Sequence, residues 1–396
     1  MRSHPTSVGT GRPRIALGPF RRSFCRVHVT RPATPERADL HCEGPIQEGA
    51  PRAAPAAPRY FKMAQNSSLV PTRHKLEGID SRTWEHPADR GALAALRAIP
   101  GFDEVLKKLI GAFGERGVRL AFQADAVRVS AKQFPRLHRL WLGVLDTLDS
   151  PEQYDLYIAQ SPVVNAGAFG VERPWVVLLS GSLRLLSDEE IESVMGHELG
   201  HVLSGHALYH TMLEILLQLA ASGFPLVGMA AMPILLALME WYRKSELSAD
   251  RAGLLAVQKP GASLNSLMRL AGGGFADEMD LNEFLAQAEE YRANKGVLDQ
   301  VMKVLNTLRM THPFLVMRAA LLRDWIEEGA YDRVLRGEYP RRTEPRPDWK
   351  DDVREGVRHY TGGVSDTAER AGQTLRSMRE AFERGFKGAP EQGEPF

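Results

Sequence analysis

Cysteine is nearly missing from this chain: Cys25 and Cys42 are the only two among 396 residues. That excludes a disulfide scaffold, a multi-cysteine zinc site and a cysteine-ligated iron–sulfur cluster. An excess of either charge is missing as well, since 50 Lys+Arg face 49 Asp+Glu for a formal net charge of +1. Dedicated nucleic-acid binders usually carry a strongly basic domain, so no nucleic-acid partner is expected. No apolar run in the first sixty residues reaches the length of a secretory signal core, and from this a cytoplasmic location is expected. Histidine is what remains in quantity. Its twelve residues are the one plentiful source of soft ligands.

The neutral total conceals unlike parts. Residues 1–62 hold nine of the 25 prolines and eleven Lys+Arg against four Asp+Glu, with no helical or strand periodicity. Such a stretch buries too little apolar surface to offset the entropy of ordering it. It is expected to be a disordered tail ahead of a natural start at Met63, with a basic targeting peptide as the alternative reading. The remainder, residues 63–396, is mildly acidic. Residues 63–150 form a helical N-terminal region, 151–330 the chemical domain, and 331–396 a polar C-terminal tail with one amphipathic helix over Asp366–Phe386.

Within the N-terminal region, Leu93, Leu96 and Ile99 recur at helical spacing and Pro100-Gly101 ends that helix. A second stripe begins at Val105, and a third helix spans Arg136–Leu148. Tyr154–Ala159 and Trp175–Ser180 read as strands, joined by a Gly-punctuated connection. Ser187 then opens a helix, with Glu190 completing a capping box.

That helix contains His197-Glu198-Leu199-Gly200-His201, an H-E-x-x-H motif. Residues i and i+4 share a helix face, so both imidazoles can reach one metal ion. Glu198, next to the first of them, can hold and deprotonate an attacking water. Zinc suits such donors, because it takes nitrogen and oxygen ligands tetrahedrally. Two histidines leave the coordination incomplete. Glu246 is the candidate third ligand, with Asp250 on the same helix face to accept an imidazole N–H from behind. Taken alone, E-x-x-x-D is also what a solvated helix face carries. His206 and His210 continue the chain beyond His201 without i, i+4 spacing to either ligand and are read as structural or solvent-facing.

Several pieces in order resemble the M48 peptidases, the group containing the CAAX prenyl proteases and the heat-shock protease HtpX. They are Asn165-Ala166, the Ser180–Leu183 turn, His197-Glu198-Leu199-Gly200-His201, Glu246 with Asp250, and Thr311-His312-Pro313 with Arg318. The resemblance covers roughly residues 150–325. It implies a predominantly helical α+β fold, a zincin-type metallopeptidase core with a small edge-strand sheet beside the H-E-x-x-H helix. It also implies one zinc ion per chain held by His197, His201 and Glu246, with Glu198 as base. His312 and Arg318 would stabilise substrate and transition state, and Asn165 and Ala166 would lie where an extended polypeptide substrate docks.

Ile215–Met239 carries only Gln218 and Ser222 as polar side chains, a transmembrane candidate by length. Yet His201 and Glu246 must meet at one ion, so a single crossing would separate them. Pro225 and Pro233 also interrupt a straight helix. A helical hairpin is expected, packed on the protein, between subunits, or in peripheral contact with a membrane. The resulting expectation is a zinc metalloendopeptidase. Its rivals are a zinc hydrolase of a non-peptide bond and a non-catalytic scaffold or membrane-surface protein in which zinc staples helices.

Overall fold

The computed structural model describes residues 73–99, 101–221, 231–275, 278–293 and 314–345. The expected tail over residues 1–62 and helix over Asp366–Phe386 lie outside them. The described chain is mostly helical with one small mixed sheet, the α+β class that the sequence suggested. In order it runs α1 (Pro87–Arg97), α2 (Phe102–Asp125), β1 (Ala126–Arg128), α3 (Pro135–Thr147), β2 (Asp155–Ala159), β3 (Ala166–Phe169), β4 (Trp175–Leu179) and α4 (Ser180–Leu185). It continues through α5 (Asp188–Leu203), α6 (His206–Ala221), α7 (Ala231–Val257), α8 (Pro260–Gly272), α9 (Leu281–Ala293), α10 (Leu315–Glu327) and α11 (Ala330–Leu335).

The sheet has strand order β1-β2-β4-β3. β2 pairs with β4 in parallel, Asp155 opposite Trp175 and Ala159 opposite Leu179. β1 and β3 flank them antiparallel, with Ala166 opposite Leu178 and Phe169 opposite Trp175. Every residue of β4 is buried, as its unbroken apolar run requires of a strand covered on both faces. Val176 and Leu178 point into the main core with Leu156 and Ile158, whereas Trp175, Val177 and Leu179 meet Tyr157 in a smaller cluster on the opposite face. By composition the β3 stretch is a Gly-punctuated connection, whereas the family resemblance implies an edge strand at Asn165. Tertiary pairing with β4 makes it a strand, and its outer edge has no strand neighbour among the described residues.

Two apolar clusters flank the length of α7. The main core joins the sheet to α3, α5, α8, α10, α11 and the C-terminal part of α7. A second cluster packs Leu96 of α1 and Phe102 of α2 against Leu213 and Leu216 of α6 and Leu235, Leu238 and Trp241 of α7. Leu216, Ile234, Leu235 and Leu238 of the long apolar stretch are therefore buried on the protein while Leu236 is exposed, and residues 222–230 between α6 and α7 lie outside the described residues. Among the described residues no helix is long and apolar enough to cross a membrane. Glu246 does not begin a new helix where the sequence turns polar. It sits mid-way along α7, which continues because no proline or glycine intervenes between Pro233 and Gly253.

Candidate metal centre

α5 starts as its sequence dictates. Ser187 Oγ accepts from the Glu190 backbone N–H at 3.4 Å, and Glu190 Oε2 accepts from the Ser187 N–H at 2.7 Å. The two orphan donors of the first turn are thus satisfied, and Asp188, Glu189 and Glu190 sit at the positive end of the helix dipole. From that fixed start, His197 and His201 fall on the face turned towards α7.

How closely α7 approaches depends on residues without side-chain bulk. A Cβ on Gly196 would lie 2.3 Å from the Ala256 Cβ, and one on Gly200 would lie 2.4 Å from the Ala252 Cβ. Across the crossing, a Cβ on Gly253 would meet the Ser193 carbonyl oxygen at 2.6 Å. The helices therefore pack backbone against backbone, with Gly196 and Gly200 one turn apart against Ala252, Gly253 and Ala256. Only at this separation does a short glutamate on α7 reach the imidazoles of α5.

The consequence is a three-donor cluster. His197 Nε2 and His201 Nε2 are 3.2 Å apart, and Glu246 places Oε2 3.6 Å from the former and Oε1 3.4 Å from the latter. One ligand atom of each residue lies within 4.8 Å of the others. Two imidazole nitrogens and one carboxylate oxygen, converging with their remaining ring atoms tied elsewhere, fit a zinc ion held by three protein ligands with a position left for water or substrate. His201 and Glu246 are 1% and 3% exposed, so the donors are withdrawn from competing solvent.

Each donor is held from behind. Asp250 Oδ1 lies 3.1 Å from His197 Nδ1. Arg318, buried on α10, donates from Nε and Nη2 to the two Asp250 oxygens at 2.8 and 2.6 Å, and its Nη1 lies 2.8 Å from Glu246 Oε2. One guanidinium therefore fixes both carboxylates, the planar two-pronged recognition to which arginine is suited. Arg318 thus contacts both Glu246 and Asp250. His312, its expected companion, lies outside the described residues.

Burial opposes charge on Glu246 and Asp250, but the Arg318 guanidinium beside them overrides it and lowers both acids, Glu246 well below the usual carboxylate range. Burial likewise disfavours charge on His197, yet its hydrogen bonds to Asp250 and Glu246 raise it to about 10. His201, buried and near other imidazoles, falls to about 4. Glu198 behaves differently from the other acids. Burial pushes it up to about 7, with the Glu246 charge adding to the rise and His197 and Arg318 opposing it. A carboxyl poised there can both take and return a proton near neutral pH.

These groups open onto a cavity of about 480 Å³. Its lining includes Asn165, Ala166 and Gly167 of β3 and its approach, together with Val194, Leu267 and Leu270. Asn165 is fixed at three points. Its N–H donates to Ser182 Oγ at 3.0 Å, its carbonyl accepts from the Leu179 N–H at 3.0 Å, and its Oδ1 accepts from the Ala166 N–H at 2.9 Å. The Ser180–Leu183 segment is the start of helix α4, and Ser182 supplies the hydroxyl that orders the β3 entrance.

Residues 131–326 match the sequence profile of peptidase family M48. Over 264 residues, 65% of this chain and 76% of the relative, the chain is 34% identical to the plastoglobule-localized metallopeptidase 48, chloroplastic, of Arabidopsis thaliana. The chain belongs to peptidase family M48. Weaker relatives agree: the mitochondrial metalloendopeptidase OMA1 of Arabidopsis thaliana is 24% identical over 38% of this chain and 33% of its own length. The metalloprotease YcaL of Escherichia coli (strain K12) is 37% identical over 20% of this chain and 30% of its own length.

This membership corrects one expectation. The cytoplasmic location drawn from the sequence is overturned by the chloroplastic, plastoglobule-localized relative. The inference failed because a missing apolar core excludes only a secretory signal, whereas organelle leaders are arginine- and serine-rich and amphipathic. Of the two readings given for His206 and His210, structural or solvent-facing, their burial agrees with the structural one. Neither faces solvent: both are buried, His206 Nδ1 lies 3.0 Å from His201 Nδ1, and the His210 and His201 ring centroids are 4.4 Å apart. Their i+5 and i+9 offsets carry no ligand signature. The turn at Gly205, where φ is +73°, redirects the chain and brings His206 back against His201. Tyr242 was also missed. It lines the cavity one turn before Glu246, and burial holds its phenol protonated.

Proposed function

We propose that this M48 metallopeptidase is a zinc-dependent endopeptidase in which Glu198 is the general base. The observation that carries the reading is the convergence of His197, His201 and Glu246 beside Glu198, in a cavity also lined by Asn165, Ala166 and Gly167 of the edge strand β3 and its approach. A zinc ion held by those three residues would polarise the scissile carbonyl and acidify water. Everything else falls to the chain itself. β3 is an edge strand among the described residues, to which an extended polypeptide would add as a further strand, and Asn165 and Ala166 set the entrance to that edge. Glu198 takes a proton from the attacking water onto its carboxylate and delivers it to the nitrogen of the departing amine. Its burial supports both halves of this exchange. Arg318 keeps Glu246 and Asp250 in place throughout, and His312 is proposed to stabilise the substrate.

Three convergent protein donors among the described residues favour a catalytic site over a zinc staple, which takes four. For location, the plastoglobule-localized relative supports a chloroplast, which imaging of a fluorescent fusion tests. The chemistry is tested by Glu198→Gln. This variant is expected to retain wild-type zinc content and to lose casein cleavage by about 10²–10⁴-fold, the usual worth of a positioned base. Undiminished cleavage would remove Glu198 from the mechanism.

A further inference from the structure

The zinc ligand His201 ends a chain of contacts that begins outside the family-matched stretch. His201 turns Nε2 towards His197 and Glu246 and presents Nδ1 to His206 Nδ1 at 3.0 Å. His206 turns its other nitrogen, Nε2, to Asp89 Oδ2 at 3.3 Å. Asp89 belongs to α1, before the matched residues 131–326, and is 1% exposed. Two further donors hold that carboxylate: Trp241 Nε1 to Oδ1 at 2.9 Å and Ser248 Oγ to Oδ2 at 2.6 Å, both from α7. Ser248 Oγ in turn accepts the His86 backbone N–H at 2.8 Å, pinning the start of α1 to the ligand helix.

We propose that Asp89 and His206 are positioning residues for the metal ligand His201, a two-link tether that fixes its tautomer and ring orientation from the N-terminal helix α1. The argument is one of proton placement. A metal ligand must present a lone pair at Nε2, so the His201 proton belongs on Nδ1, where it donates to His206 Nδ1. His206 then accepts at Nδ1 and carries its own proton at Nε2, where a carboxylate is the matching acceptor. Asp89 supplies it. Reversing any link would set two N–H groups or two lone pairs against each other inside a buried site, where an unmatched polar group is costly. The tether parallels the direct Asp250–His197 contact, so each histidine ligand is oriented by its own carboxylate, one directly and one through an intervening imidazole.

The proposal rests on the zinc reading above, and the test separates the two. If the full-length wild-type chain binds no zinc, that reading fails first; the tether is judged on variants of a zinc-binding protein. Zinc affinity is measured by competition with a chromogenic chelator on Asp89→Asn, His206→Leu, His206→Gln and Trp241→Phe, beside the melting temperature of each metal-free protein. Asp89→Asn and His206→Leu are expected to weaken zinc binding about 10–100-fold, the usual effect of disturbing a ligand's outer partner. They should also alter the visible absorption of the cobalt-substituted protein. His206→Gln, which can still accept from His201 and donate to Asp89, should recover most of that affinity. Trp241→Phe removes a bond to Asp89 but leaves the tether and should bind zinc as the wild type does. Should Asp89→Asn fail to fold, the contrast between leucine and glutamine at His206 decides the matter. Wild-type zinc affinity in folded His206→Leu, or an equal loss in Trp241→Phe, would overturn the proposal.

Discussion

The two halves of α7 are packed by opposite means. From Ile234 to Trp241 the helix presents large apolar side chains to α1, α2 and α6, filling space with interlocking bulk. From Ala249 to Ala256 the face it presents to α5 is alanine and glycine, and α5 lies against its backbone. The first arrangement supplies buried area. The second supplies distance: the donors of His197, His201 and Glu246 converge only because nothing stands between the helices that carry them. An apolar cluster can relax around a lost methylene, whereas a crossing at backbone contact has nowhere to move.

The contrast can be broken experimentally, and the largest effect is expected at the crossing. Gly196→Val forces a branched side chain into a gap where even a Cβ would sit 2.3 Å from Ala256. It should cost at least the ~3 kcal/mol at the upper end of ordinary overpacking and abolish zinc retention, as read by circular dichroism and metal analysis. Normal zinc content in a folded Gly196→Val protein would show that the close approach is not needed.

An intermediate effect is expected in the other half of the helix. Leu238 is fully buried in the second cluster, and Leu238→Ala should lower stability by about 2–5 kcal/mol in chemical denaturation while zinc stoichiometry and affinity stay at wild-type values. If zinc were lost along with stability, the two halves of α7 would have to be treated as one unit. The smallest effect belongs to Ser187→Ala, which removes the cap of α5 at a typical cost of about 1 kcal/mol. Both packing regions should be left intact, so a thermal melt should shift slightly and peptidase activity should hold.

What the sequence disclosed divides along a similar line. The α5 start, its histidines and Glu198 are legible because capping and i, i+4 spacing are local rules acting within one helix. Glu246 and Asp250 are legible as a helix face but acquire direction only from α5. β3 is legible only through the family resemblance, since Ala-Gly-Ala-Phe owes its extended form to β4 and not to its own composition. Asp89 and His206 are hidden for a stronger reason: an aspartate in the first turn of α1 reads as a favourable helix-dipole charge and nothing more. Arg318 was noticed through the family resemblance, yet its contacts with two carboxylates follow only from the packing of α10 beside α7. Small residues at 196, 200, 252, 253 and 256 are visible in the chain, but their meaning depends on knowing that these two helices cross.

The central claim is that His197, His201 and Glu246 together hold one zinc ion. Zinc-to-protein stoichiometry, measured on the full-length wild type beside Glu246→Ala after dialysis against a mild chelator, tests it most directly. The account predicts one zinc per wild-type chain and a large loss in the variant; undiminished zinc in Glu246→Ala would contradict it.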